Sequence, residues 1–209
     1  MATKPKKSDL ILDTALNLFN EQGSHTVTTN HIAKAMGISP GNLYYHFKNK
    51  EHIIRELLAR LIKGFDSIVN IQAEVNSVPE FVTEIISAAS RLIFAYRFIY
   101  RELAALLTRD ELFRAMYHDI KTKRAGEFKQ FFNVLTQMGI FRQGITQAEQ
   151  DAILFIIWTY AEGLITALHT SNIPVTRSAT EAHFKNILYI LKGYLKPPVW
   201  ITIADKISL

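Results

Sequence analysis

The chain has 209 residues, 48% of them hydrophobic and 21% charged, so it carries enough apolar material for a sizeable core and is not an intrinsically disordered chain. A net charge of +5 and a pI near 9.3 suit a polyanionic partner without specifying one. Cysteine is absent, which excludes disulfides and thiolate chemistry and fits a cytoplasmic location.

The first eight residues are polar and lysine-rich, unlike a signal peptide. Lys4, Lys6 and Lys7 form a basic arm, suited to phosphate contact or simply solvated. A first helix is expected over residues 9–22, capped by Ser8 and closed by Gly23, with Leu10, Ile11, Thr14, Ala15, Leu18 and Phe19 on its apolar stripe. Residues 28–47 read as two short helices joined by a tight turn. Thr28 or Thr29 caps the first, whose apolar spots are Ile32, Ala33 and Met36 and which ends at Gly37. Ser39 caps the second, with Pro40 at its first position, where a missing N–H costs nothing. A fourth helix, capped by Asn49, is expected over 50–74. It is long enough to leave the first three helices, which places a domain boundary near 63 and divides the chain into residues 1–63 and 64–209.

A break at 76–79 precedes a helical stretch over 80–107, with a bend or a second helix near 96–98. Asp110 caps a helix over 111–138 that Gly139 closes, and Gln143-Gly144 is a turn. Thr146 and Glu149 form a capping box that opens an apolar helix reaching Thr170. Its apolar core, 152–168, is interrupted by Glu162 and is expected to be a buried helix rather than a membrane span. A loop at 172–176 leads to a last long helix over 178–195, ended by Pro197-Pro198, and the tail 199–209 is left unassigned. The expected fold is therefore all-α, with about nine helices and no sheet.

In the short second helix of the pair, Leu43 and Phe47 share one face and are candidates for burial. Gly41, Asn42, Tyr44, Tyr45 and His46 are left to the other faces. A short helix that buries two residues and exposes polar and aromatic groups has the pattern of a helix-turn-helix reading head, though an ordinary helical hairpin shares its geometry. No H-E-x-x-H, phosphate-binding glycine loop or nucleophile elbow occurs, and the seven histidines are scattered, so no catalytic residue, metal site or cofactor is expected.

The run Ala15-Leu16-Asn17-Leu18-Phe19-Asn20-Glu21-Gln22-Gly23, then Thr28-Thr29 and Ile32-Ala33, then Gly37-Ile38-Ser39-Pro40-Gly41-Asn42-Leu43-Tyr44-Tyr45-His46-Phe47-Lys48-Asn49-Lys50-Glu51 resembles the N-terminal domain of TetR/AcrR transcriptional regulators. The resemblance covers about a quarter of the chain. It implies that residues 40–47 enter the major groove of double-stranded DNA, with Asn42 offering a carboxamide to a base edge. It implies that Tyr45 and His46 touch bases or backbone, that Gly41 allows close approach, that Thr28, Thr29, Tyr44, Lys48 and Lys50 bind phosphates, and that Ser39 and Pro40 belong to the same DNA-binding surface. The second short helix has no Arg or Lys, so few base contacts, phosphates and DNA shape are expected to carry readout. Residues 1–50 have a charge balance of +3, which agrees with this.

In the C-terminal part, the apolar helix and the last long helix each carry surplus apolar surface. A homodimer made through Ile157, Ala161, Leu164, His183, Ile187, Ile190, Leu191 and Tyr194 accounts for both. Tyr96, Arg97, Tyr100, Arg101, Phe131, Trp158 and Glu162 are the candidate lining of a small-molecule effector pocket, with internal Arg–Glu pairing as the plainer account of the charges. The expected protein is a cytoplasmic, homodimeric repressor that a ligand releases from a palindromic operator, with helix 4 as the one link between head and body. A helical protein–protein adaptor is the rival.

Overall fold

The computed structural model describes residues 5–69 and 77–207. Lys4 of the basic arm, the end of helix 4 beyond residue 69, the start of the break at 76, and residues 208–209 lie outside it. The helices are α1 Lys7–Gln22, α2 Thr29–Ala35, α3 Pro40–His46, α4 Lys50–Val69, α5 Val78–Ala95, α6 Arg97–Arg109, α7 Glu111–Gln137, α8 Gln147–Thr170, α9 Arg177–Phe184, α10 Ile187–Leu191 and α11 Pro197–Ile207. Among the described residues no strand forms, and a single bridge pairs Phe141 with Leu195.

The chain divides into two compact units. One comprises Met1–Lys63 with Tyr96–Ala115, and the other Gly64–Ala95 with Met116–Leu209. In the first, Ile11, Ala15, Phe19, Val27, Ile32, Leu43, Ile53 and Leu57 are wholly buried. Phe98 of α6 joins them, its ring 5.1 Å from that of Phe19. Leu10, expected on the buried stripe of helix 1, is 41% exposed. Ser8 does not cap α1. The helix starts earlier, with the amides of Asp9 and Leu10 both donating to the Lys6 carbonyl at 3.0 and 3.2 Å, so Ser8 lies inside the first turn. Helix 1 is held to α4 by Arg60, which pairs with Asp9 at 2.9 Å and Asp13 at 2.7 Å.

Helix 4 is not alone in leading out of this unit, as α6 is built into it. Arg101 donates to the Asn20 carbonyl at 3.3 Å, in the last turn of α1, and to the Phe19 carbonyl at 3.0 Å, which also accepts from the Gly23 amide. The buried Asn20 carboxamide accepts from the Phe98 amide at 3.1 Å. Glu102 accepts from both the amide and the hydroxyl of Ser24, in the turn between α1 and α2. Of the bend or second helix expected near 96–98, it is the second helix that forms: α5 ends at Ala95 and α6, from Arg97, packs on α1.

In the second unit, α5 packs on α9 and α11, and α8 on α9, α10 and α5. Phe132 and Phe141 stack with centroids 4.3 Å apart at its centre. The last long helix expected over 178–195 is broken after Phe184. The His183 carbonyl accepts from Tyr160 at 2.6 Å, and the following amides of Asn186, Leu188 and Tyr189 make tight three-residue bonds that separate α9 from α10. Thr176 caps α9. Pro197-Pro198 does not end the preceding helix, which stops at Leu191 ahead of a turn and the bridge at Leu195; it opens α11 instead, because proline suits a first helical position. The unassigned tail is therefore a helix, anchored by the fully buried Ile203 and by Trp200 against Tyr189.

Helix 8 departs from its expected burial. It has 24 residues, long and apolar enough by length and composition alone to cross a membrane, and 22% of its most apolar window is buried. Phe155 is 70% exposed and Ile156 45%. Glu162, which interrupts the apolar run, is bonded to Tyr117 and Lys121 of α7 rather than left facing lipid.

Candidate nucleic-acid interface

Local chemistry fixes both short helices at their ends. Thr28 caps α2: its hydroxyl accepts from the His31 amide, and the His31 ring accepts from the Thr28 amide, each at 3.3 Å. His31 thus fills the place usually held by Glu or Gln, and the sequence reading missed it for that reason. At the other end the Gly37 amide reaches the Lys34 carbonyl and the Ile38 amide the Ala33 carbonyl, the paired bonds that close a helix through a left-handed residue, here Gly37 at φ 64°. Ser39 then caps α3 by accepting from the Asn42 amide at 3.3 Å. Leu43 and Phe47 are buried at 0% and 4%. They fix which faces of α3 turn outward.

The outward faces carry Gly41, Asn42, Tyr44 and Tyr45, with Tyr45 86% exposed, and His46 half-buried beside it. The Asn42 carboxamide has no partner among the described residues, so both its donor and its acceptor are available. The Tyr44 hydroxyl lies 3.0 Å from the Thr29 hydroxyl, which joins the start of α2 to the exposed face of α3. Thr28, Ser39 and Pro40 are exposed at the two helix starts, and both cap hydroxyls keep a proton to donate. Lys48 is exposed, with no ammonium partner among the described residues. Lys50 differs. Its ammonium donates to the Ser24 carbonyl at 2.6 Å and holds the α1–α2 turn, so it is a strut first.

The candidate effector residues do not share one compact unit. Tyr96, Arg97, Tyr100 and Arg101 belong to the first, with Arg101 engaged by the end of α1. Burial and the neighbouring Arg101 lower the pKa of the Arg97 guanidinium. Phe131, Trp158 and Glu162 belong to the second, where Phe131 meets Phe81 at 5.6 Å and Trp158 and Glu162 bond to each other. Of the candidate dimer residues, Leu164 and Ile187 are buried at 4% and 6% within the single chain. Ile157, Ala161, His183, Ile190, Leu191 and Tyr194 are half-buried. The exposed apolar face of α8 is instead carried by Phe155 and Ile156, beside a groove of about 460 Å³ that Gly163, Ala167 and Ile173 also line.

Two capped helices at a glycine turn, the second presenting amide, phenol and imidazole groups to solvent, define a helix-turn-helix. A family profile described as bacterial regulatory proteins, tetR family, matches residues 11–57, and one described as bacterial transcriptional repressor matches residues 49–199. The chain belongs to the TetR family of DNA-binding transcriptional regulators and is not an enzyme. A crystal structure of a TetR-family transcriptional regulator from Marinobacter aquaeolei VT8 superposes with a TM-score of 0.85 at 29% identity, over 96% of this chain and 97% of that one. The nucleoid occlusion factor SlmA of Glaesserella parasuis is 28% identical over 196 residues, 90% of this chain and 94% of the relative. The regulator QacR of Staphylococcus aureus is 48% identical over 50 residues, 24% of this chain and 27% of the relative.

Proposed function

We propose that the protein is a cytoplasmic, homodimeric repressor that binds a palindromic operator and is released from it by a small molecule. In this reading residues 1–63 are the DNA-binding domain and 64–209 the effector-binding and dimerisation domain. The observation that carries it is the outward face of α3, where Asn42, Tyr44 and Tyr45 stand exposed on a helix held at both ends. Asn42 reads a base edge, Tyr45 and His46 contact bases or backbone, and Gly41 lets the backbone come close. Thr28, Thr29, Ser39, Pro40, Tyr44 and Lys48 follow the phosphates.

Dimerisation through the outer face of α8 accounts for Phe155 and Ile156 in water, and Gly163, open on its Cβ side, lets a second helix approach closely. Two heads then lie about one helical turn, roughly 34–36 Å, apart on the operator. Release follows if the effector favours a dimer state whose heads no longer match that spacing, and a coupling of about 1–3 kcal/mol lowers affinity roughly 5–150-fold. Selection of bound fragments from genomic DNA, followed by gel shift, tests the reading. Symmetric half-sites support it, and an absence of specific binding overturns it.

The 28% identity to a nucleoid occlusion factor, over 90% of this chain and 94% of the relative, supports a second reading, in which the protein is itself a nucleoid occlusion factor.

A further inference from the structure

On α8, Glu162 follows Trp158 by one turn, and on α7, Lys121 follows Tyr117 by one turn. Residues four apart share a helix face, so the two pairs meet as one four-membered cluster inside a single compact unit. Three donors converge on one carboxylate oxygen, Oε1 of Glu162. They are the Tyr117 hydroxyl at 2.7 Å, the Lys121 ammonium at 3.1 Å and the Trp158 indole N–H. Among the described residues no donor reaches the other oxygen, Oε2. The Lys121 ammonium also lies 5.2 Å from the centre of the Trp158 ring, and the Tyr117 ring stands edge-on to that indole at 6.5 Å.

An aromatic face, a carboxylate and a phenol around one ammonium make a cation receptacle. Here its occupant is tethered. Lys121 keeps 41% of its side chain exposed, so its ammonium reaches water by rotation of a flexible four-carbon stem. An ion pair so open to solvent contributes little and yields readily to a competitor. Glu162 is 25% exposed, screened enough to reward a partner that also covers the indole.

We propose that this cluster anchors the effector, and that the effector is an organic cation, an ammonium or amidinium on an apolar body. It displaces Lys121, lies on the Trp158 face and takes up Oε2 of Glu162. The inference rests on the ligand-responsive reading above and names the ligand's chemical class.

The chain has two tryptophans, Trp158 and Trp200, so Trp200→Phe leaves indole fluorescence reporting on Trp158 alone. In that background benzyltrimethylammonium gives a saturable change, while benzoate and benzyl alcohol, with the same ring, give none. Lys121→Met removes the tethered competitor and tightens binding roughly tenfold. Glu162→Gln weakens it by a similar factor. An equal response to all three probes overturns the proposal, as does equal affinity in the three proteins. The comparison of probes needs no change within the cluster, so a variant that fails to fold leaves the test intact. A gel shift with the selected operator keeps the two readings apart. Cation binding that leaves the operator complex whole refutes release by this ligand but not the receptacle. Release by another compound, without cation binding, refutes the receptacle alone.

Discussion

Glu102 is the residue whose removal is most informative. Its carboxylate accepts from the Ser24 amide at 3.0 Å and from the Ser24 hydroxyl, and its side chain is 14% exposed. Ser24 itself is 5% exposed, so water cannot readily replace the lost acceptor. Hydrogen bonds to a charged group contribute roughly 1.5–3 kcal/mol each, and an orphaned buried donor costs about 1–3 kcal/mol. Glu102→Ala is therefore expected to destabilise the α1–α2 turn by about 2–4 kcal/mol, with some of the two bonds recovered by relaxation. Because the chain has two compact units, a global melt is the wrong measure, and amide exchange is the right one. Protection of the Ser24 to Val27 amides should fall roughly 30- to 1,000-fold, while amides of α8 are unchanged. Glu102→Gln keeps one neutral acceptor and should fall between. Operator affinity drops in the same order, because this turn leads directly into the Thr28 cap of α2. Unchanged protection around Ser24 refutes the claim that α6 holds the turn.

Lys48→Ala should weaken binding to all DNA sequences alike and lower the salt slope by roughly one unit, read from gel shifts at several salt concentrations. Lys50→Ala should instead lower the protection of the α1–α2 turn, with little change in slope, because its ammonium is held by the Ser24 carbonyl. Phe155→Glu places a charge on the exposed face of α8, and sedimentation should show a monomer that no longer binds the full operator but stays folded. The hydrogen bond from Lys123, then that from Arg124, holds the Asp66 carboxyl below its ordinary 3.8. A depressed carboxyl stabilises the fold above its unfolded pKa, and that contribution is lost as pH falls through the folded value. Amide protection around Asp66 should thus decline less steeply below about pH 3.8 in Asp66→Asn than in the parent.

What the sequence made legible was local. Ser39-Pro40, Thr146 with Glu149, Asn49, Asp110 and the glycines at 23, 37 and 139 act within one helical turn, and each does in the structure what its chemistry demands. The outward face of α3 was legible for the same reason, since two buried residues four apart fix where the others point. What escaped depends on distant partners. Asn20 receives its bond from Phe98, 78 positions away, and Arg101 reaches back 82 to Phe19. No periodicity in 96–109 announces that this helix belongs with the head. The break after Phe184 is of the same kind, because the sequence around it is helical and the cause is a hydroxyl on α8.

The same distinction bears on control. With helix 4 as the one link, the head could respond only to a tilt of α4. The structure gives it a second hold, at the turn between α1 and α2, through Arg101 and Glu102 of α6. Hydrogen bonds of this length weaken steeply with small displacements, so a shift of α6 too slight to tilt α4 is still felt at Ser24. The α1–α2 turn ends one residue before the capped start of α2, where the candidate phosphate contacts begin. In the ligand-responsive reading, then, the signal does not have to change the spacing of whole heads. Loosening α2 at its cap removes phosphate contacts from each half-site, and that acts on every operator sequence equally.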